Sequence, residues 1–138
     1  MITEAASQDF LISCISGASK PQIMRHMEEY YDCGEDEVKE FFKEIEKKHQ
    51  KIDILVNVVG QSEPGGPVQI DSLTWQKQFT LNLDTAYFCI KFVIPIMEKN
   101  LGGSIVNISS VAGLRYIGKP QVGYSAVSYT HLTLPTNR

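Results

Sequence analysis

Residues Ile52 to Val59 read IDILVNVV, a nearly unbroken apolar run rich in Ile and Val. A run of this kind, without the in-out alternation of a half-solvated sheet, is expected of a strand covered on both faces, as parallel sheets require. Parallel strands cannot be joined by a hairpin and need a long crossover. The sequence supplies one. Gly60 to Pro67 is a Gly/Pro-rich loop, and Asp71 or Ser72 can cap a helix that runs from about Leu73 to Asn100. Leu101-Gly102-Gly103 is the turn out, and Ser104 to Ser110 (SIVNISS) is the next strand. Strand, helix, strand with these lengths is a βαβ unit and predicts a parallel sheet.

The long helix is apolar nearly all round in its middle (Ala86, Phe88, Cys89, Ile90, Phe92, Val93). Such a helix is expected to be buried on more than one side, by the sheet and by a partner subunit, with a kink at Pro95. Upstream, Val38, Phe41, Phe42 and Ile45 fall on one helical face between Gly34 and Gln50. Glu35 with Lys39 and Glu44 with Lys48 stand at i,i+4 spacing in the favourable order. Residues 1 to 31 are harder to read. Phe10 to Ile15 has the look of a short strand and Lys20 to Tyr31 that of a poor helix.

Several classes are disfavoured. Net charge is −3 and no Lys/Arg run forms a basic patch, so neither nucleic acid nor an anionic membrane is an expected partner. The stretch Thr85 to Met97 is too short and too interrupted, by Lys91 and Pro95, to span a bilayer. The first ten residues lack the basic start of a secretory signal. Cys14, Cys33 and Cys89 are odd in number and widely spaced, so no disulfide framework or metal site is expected, and a cytoplasmic setting is.

Ligands of open parallel sheets bind beyond the carboxyl ends of the strands. Asn57-Val58-Val59-Gly60 follows one strand, Asn107-Ile108-Ser109-Ser110 ends the other, and Tyr124-Ser125-Ala126 comes a loop later. A Ser and a Tyr placed there could share one small pocket. Taken singly, each has a plainer reading: Ser110 as a helix cap, Tyr124 as a half-buried core phenol, Asn82 as a kink residue.

Four segments resemble the short-chain dehydrogenase/reductase family, in the correct order and at nearly the expected spacing. IDILVNVVG resembles its D-x-L-V-N-N-A-G segment, and WQKQFTLNLDTAYF its long helix with a central Asn. GGSIVNISSVAG resembles the strand ending in its catalytic Ser, and GYSAV the start of Y-x-x-x-K. The resemblance implies an incomplete Rossmann-like, doubly wound parallel sheet of three-layer α/β/α type. It implies a protein that moves a hydride between NAD or NADP and a small-molecule alcohol/carbonyl pair, and that forms a homo-oligomer through helix 73–100.

Carried over by position, Tyr124 is the general acid/base. Ser110 holds the substrate oxygen, and Asn82 sits at a local helix break holding a water. Asn57, Val59, Gly60, Ile108 and Tyr124 line the cofactor, and Asp32 would contact adenine. A phenol titrating near ~10 needs a nearby cation to act at neutral pH. The family supplies a Lys four residues after the Tyr, where this chain has Ser128. Other departures are Val58 and Val59 in place of Asn and Ala, and a Ser110–Tyr124 spacing about one residue longer than the family's. The family's Gly-rich pyrophosphate turn is echoed only by Ser16-Gly17-Ala18-Ser19, which stands too near Asn57 in sequence to be that turn.

From about residue 127, VSYTHLTLP resembles a translated sequencing adaptor. The expected organisation is therefore 1–31 unassigned, 32–126 a partial nucleotide-binding domain, and 127–138 an artefactual tail, with the chain incomplete at both ends. Two other readings remain: a catalytically inactive scaffold or interaction module, and an unrelated flavodoxin-like binding domain.

Overall fold

The computed structural model describes residues 11–15, 23–25, 34–58 and 60–131. The expectations for Asp32, for Val59 and for residues 132–138 lie outside the described residues. In chain order the elements are β1 (Leu11–Ile15), β2 (Ile23–Arg25), α1 (Glu35–His49), β3 (Ile54–Asn57), α2 (Ser72–Phe79), a π turn (Thr80–Asp84), α3 (Thr85–Lys99), β4 (Ser104–Asn107), a 3-10 turn (Val111–Gly113) and α4 (Val122–His131).

β3 and β4 pair in parallel, Ile54 beside Ser104 through Asn57 beside Asn107. The chain has the partial doubly wound α/β fold that the βαβ pattern predicts. The rest of the sheet, ordered β2-β1-β3-β4, is unlike the expectation. β1 lies antiparallel to β3, with Ile12 opposite Asn57 and Ile15 opposite Ile54, and β2 is antiparallel to β1.

β3 is also not covered equally on its two faces. Leu55 and Asn57 are buried, whereas Ile54 and Val56 are half-buried. Leu55 packs with Phe42 and Ile45 of α1 and with Cys89, Val93 and Met97 of α3 in one core cluster. Alternate residues point to opposite faces, so both helices serve the same face. Val106 of β4, out of phase with the core-facing Ile105, stays exposed. A second helical layer is not among the described residues.

α1 forms because its apolar stripe meets that core and its charges suit the helix dipole. Glu35, Asp36 and Glu37 lie in the first turn, and Lys47, Lys48 and His49 in the last. Its ion pairs are not the local ones the spacing suggests. Glu35 takes Lys91 at 2.5 Å and Glu46 takes Lys99 at 2.7 Å, both across to α3, while Glu40 pairs with Lys43 at 2.6 Å. With α3 packed alongside, the tertiary partners win over those one turn away.

Asp71 caps α2, its carboxylate accepting from Thr74 N–H at 2.7 Å. That hydrogen bond holds the Asp71 carboxyl below its ordinary pKa of 3.8. A carboxyl with a depressed folded pKa stabilises the fold above its unfolded value, and that contribution fades as pH falls through the folded one. Asp71→Ala is therefore expected to lower the melting temperature at neutral pH. The difference from the parent should shrink as the pH of the melt is taken below 3.8; a difference independent of pH would contradict the assignment.

The long helix is interrupted at the π turn Thr80–Asp84, and α3 runs on through Pro95. Joined across the turn, 72–99 is long and apolar enough to cross a bilayer by length and composition alone. Ala86, Cys89, Val93, Ile96 and Met97, however, are buried within the fold. The exit turn uses Leu101 and Gly102 at positive φ (68° and 122°), the second a conformation that glycine adopts without strain.

Candidate active site

At the carboxyl ends of β3 and β4 two amides meet. Equal register in a parallel pair puts side chains on the same face, and Asn57 Nδ2 donates to Asn107 Oδ1 at 2.8 Å. Asn57 is only 2 % exposed, and its Oδ1 has no partner among the described residues. An unpaired buried acceptor costs about 1–3 kcal/mol, which makes it a candidate for binding a donor.

The chain leaves β3 through a loop held from two sides. On one side stands Asn82, in the π turn and 1 % exposed. Its Oδ1 accepts from Gln61 N–H at 2.7 Å, and its Nδ2 donates to Gln61 C=O at 3.1 Å and Gln78 C=O at 2.7 Å. A π turn inserts one residue into a helix and re-aims what it carries; here it aims Asn82 at the loop. The helix break expected at Asn82 is therefore present. The side chain clamps backbone with both amide hydrogens, leaving a water only the second lone pair of Oδ1. Gln78 adds Oε1 to Glu63 N–H at 3.4 Å.

On the other side is the start of α4. Gly65 N–H donates to Pro120 C=O at 2.8 Å and Val122 N–H to Gly65 C=O at 3.0 Å, forming an isolated parallel bridge. Ser62 Oγ donates to Gln121 Oε1 at 2.9 Å. These bonds fix the loop against the helix that carries Tyr124. A Cβ built on Gly60 would lie 3.2 Å from the Tyr124 hydroxyl. The hydroxyl reaches the segment just beyond β3, and a Cβ at Gly60 would crowd it. Among the described residues it makes no hydrogen bond.

Ser110 ends the segment after β4 in extended conformation (φ −131°, ψ 149°), and its Oγ accepts from Ala112 N–H at 3.2 Å. Its own O–H remains available. The neighbouring Ser109 donates to Ser128 C=O at 2.5 Å, tying this segment to α4. A Cβ on Gly113 would come within 2.7 Å of Tyr129 N and 2.8 Å of Ser128 C, so the two backbones touch. Ser110 and Tyr124 thus stand on segments locked together, although no hydrogen bond joins the two residues. Ile108 N–H is committed to Asn57 C=O at 2.9 Å, and its side chain is exposed.

Asn107, Gln78 and Gln121 were not singled out by the sequence. A lone amide in a strand or helix looks like any surface residue, and no local signal distinguishes these three.

The rim fits one end of a nicotinamide dinucleotide better than the other. An orphaned acceptor, two hydroxyls and a glycine stand where a nicotinamide riboside could lie. Among the described residues the pyrophosphate has no such cradle. β1 runs against β3, so the chain leaves it at Ile15 beside Ile54, on the rim opposite Asn57. The segment Ser16-Gly17-Ala18-Ser19 itself lies outside the described residues. Ser128 is 4 % exposed and lies against Gly113, and it supplies no cation to Tyr124.

Comparison with known proteins gives a consistent result. A family model described as short chain dehydrogenase matches residues 31–128. A 3beta-hydroxysteroid dehydrogenase of Mediterraneibacter gnavus is 37 % identical over 93 residues, covering 63 % of this chain and 33 % of that protein. The 3-oxoacyl-[acyl-carrier-protein] reductase FabG of Thermotoga maritima is 34 % identical over 91 residues, 66 % of this chain and 37 % of that one. Among solved structures, ElxO with NADP bound superposes with a TM-score of 0.66 at 33 % identity, covering 75 % of this chain and 41 % of that one. The chain thus spans little more than a third of such relatives.

Proposed function

Since the chain belongs to the short-chain dehydrogenase family, we propose that the whole protein is an NAD- or NADP-dependent oxidoreductase acting on the alcohol/carbonyl pair of a small molecule. The observation that carries this reading is the Tyr124 hydroxyl, without a hydrogen-bond partner among the described residues and 3.2 Å from the position of a Gly60 Cβ, at the carboxyl rim of a parallel strand pair. The relatives are named for reactions of that kind, and one neighbour for its bound NADP.

A nicotinamide dinucleotide, when bound, would supply the hydride for reduction and accept it in oxidation. The residues of this chain do the rest. Tyr124 O–H gives its proton to the carbonyl oxygen in reduction and takes one from the alcohol in oxidation. Ser110, its Oγ already accepting from Ala112, directs its O–H at the same oxygen and stabilises the charge that grows there. Asn57, Gly60 and Ile108 line the nicotinamide end. Asn82 acts by holding Gln61, and through it the loop, in place. Exposed Leu73, Trp75 and Tyr87 on the long helix suit contact with a second subunit in a homo-oligomer, in a cytoplasmic setting.

A second reading, a catalytically inactive scaffold, is favoured by one observation: the buried Ser at position 128 where a cation is needed. The family domain is taken as 32–126, with 127–138 an adaptor-derived tail, of which 127–131 belong to α4. The 138-residue chain by itself is then expected neither to bind NADH or NADPH tightly nor to turn over.

The test is consumption of reduced nicotinamide, followed by absorbance, with a panel of ketones, keto esters and aldehydes. The whole protein is expected to oxidise NADH or NADPH with at least one class, and inertness with both cofactors would overturn the enzymatic reading. Clear turnover by the 138-residue chain alone would refute its expected inactivity.

A further inference from the structure

We propose that Asn107 is a positioning residue for cofactor binding, holding the Asn57 amide so that it presents a carbonyl oxygen at the rim of the sheet. This rests on the oxidoreductase reading above.

The terminal torsion of an asparagine is broad and roughly two-fold, so an unconstrained amide offers either its oxygen or its N–H groups to a ligand. Asn57 is constrained. It sits directly beside Asn107 in the parallel register, on the same face, one pleat beyond Leu55 and Ile105. The 2.8 Å bond from Asn57 Nδ2 to Asn107 Oδ1 ties down the nitrogen side of the amide. The oxygen side is left buried and, among the described residues, without a partner. A buried acceptor in that state selects for a donor. On a nicotinamide dinucleotide two groups have that chemistry: a ribose hydroxyl and the carboxamide NH2. Asn107 itself is only half-buried. Its part is to decide which atom Asn57 shows.

The inference separates two substitutions that a purely structural role would treat alike. Asp at 107 has only acceptors when ionised, and so keeps Asn57 in the same orientation. Leu offers Asn57 nothing, and the amide is free to turn. In the whole protein, Asn107→Leu is expected to raise the Kd for NAD(P)H, read by fluorescence titration, and the KM for the cofactor about tenfold. kcat at saturating cofactor should move less than about twofold, and Asn107→Asp should restore Kd to within roughly threefold. Melting temperatures are recorded for both variants. ADP-ribose binding identifies the donor: weakened in parallel, it points to a ribose hydroxyl, and unchanged, to the carboxamide. Either result supports the proposal.

Three results would overturn it. One is Asn107→Leu lowering the melting temperature with Kd unaltered. Another is Asn107→Asp binding as poorly as Asn107→Leu. The third is a loss confined to kcat. A parent protein that binds neither NADH nor NADPH would instead overturn the oxidoreductase reading, and the inference with it.

Discussion

Tyr124→Phe is expected to lower kcat of the whole protein by roughly 10²–10⁴-fold, the usual contribution of a positioned general acid/base. Stability should hardly change. The hydroxyl makes no hydrogen bond to any described residue, and the ring that packs α4 against the loop is retained. The expected shift in unfolding free energy is within about 0.5 kcal/mol. The two readouts together make the test sharp, since a misfolded variant would lose both. Turnover within tenfold of the parent, in a variant that melts normally, would remove Tyr124 from the chemistry and leave the active-site reading without its main support. Ser110→Ala is the natural companion. It removes a hydrogen-bond donor to the substrate oxygen and the acceptor that serves Ala112 N–H.

Asn82→Leu should show the largest stability loss of any single substitution at the site. The side chain is almost fully buried and holds three backbone groups: Gln61 N–H, Gln61 C=O and Gln78 C=O. Leu is close in size, so the change leaves the space filled and the three groups unpaired. Each buried orphan costs about 1–3 kcal/mol, and the exposed side of the loop can recover part of that by reaching water. A net loss of roughly 2–5 kcal/mol follows, measurable as a lower denaturant midpoint with the slope unchanged. A loss below about 1 kcal/mol would mean that Gln61 is held by something else. Asn82→Asp should fall between the two, since it keeps the acceptor for Gln61 N–H and loses both donors.

What could be read from the sequence was whatever is encoded locally. The Ile/Val run at β3, the amphipathic face of α1 and the cap at Asp71 are each set by a few adjacent residues, and each lies where the pattern places it. The candidate site residues were picked out for a different reason: Asn82, Ser110 and Tyr124 fall within motifs of fixed spacing. Features made by distant segments were not legible. Nothing in LISCI says that β1 runs against β3, because strand direction is decided by pairing and not by propensity. Glu35 and Lys39 have the spacing of a helical ion pair, yet Glu35 takes Lys91, brought alongside by α3. Nor does a glutamine in α2 announce that it will be buried against Gly123 and reach Glu63.

The π turn also makes chain length itself part of the site. Each α-helical residue advances the azimuth by about 100°, so deleting one residue between Thr80 and Asp84 would rewind the segment into plain helix and swing α3 by that angle about its axis. Cys89 and Val93 would rotate out of contact with Leu55, and Asn82 would no longer point at Gln61. The segment can therefore change its letters far more readily than their number. A homologue one residue shorter here would need a compensating insertion close by to keep both its interior and its loop anchor.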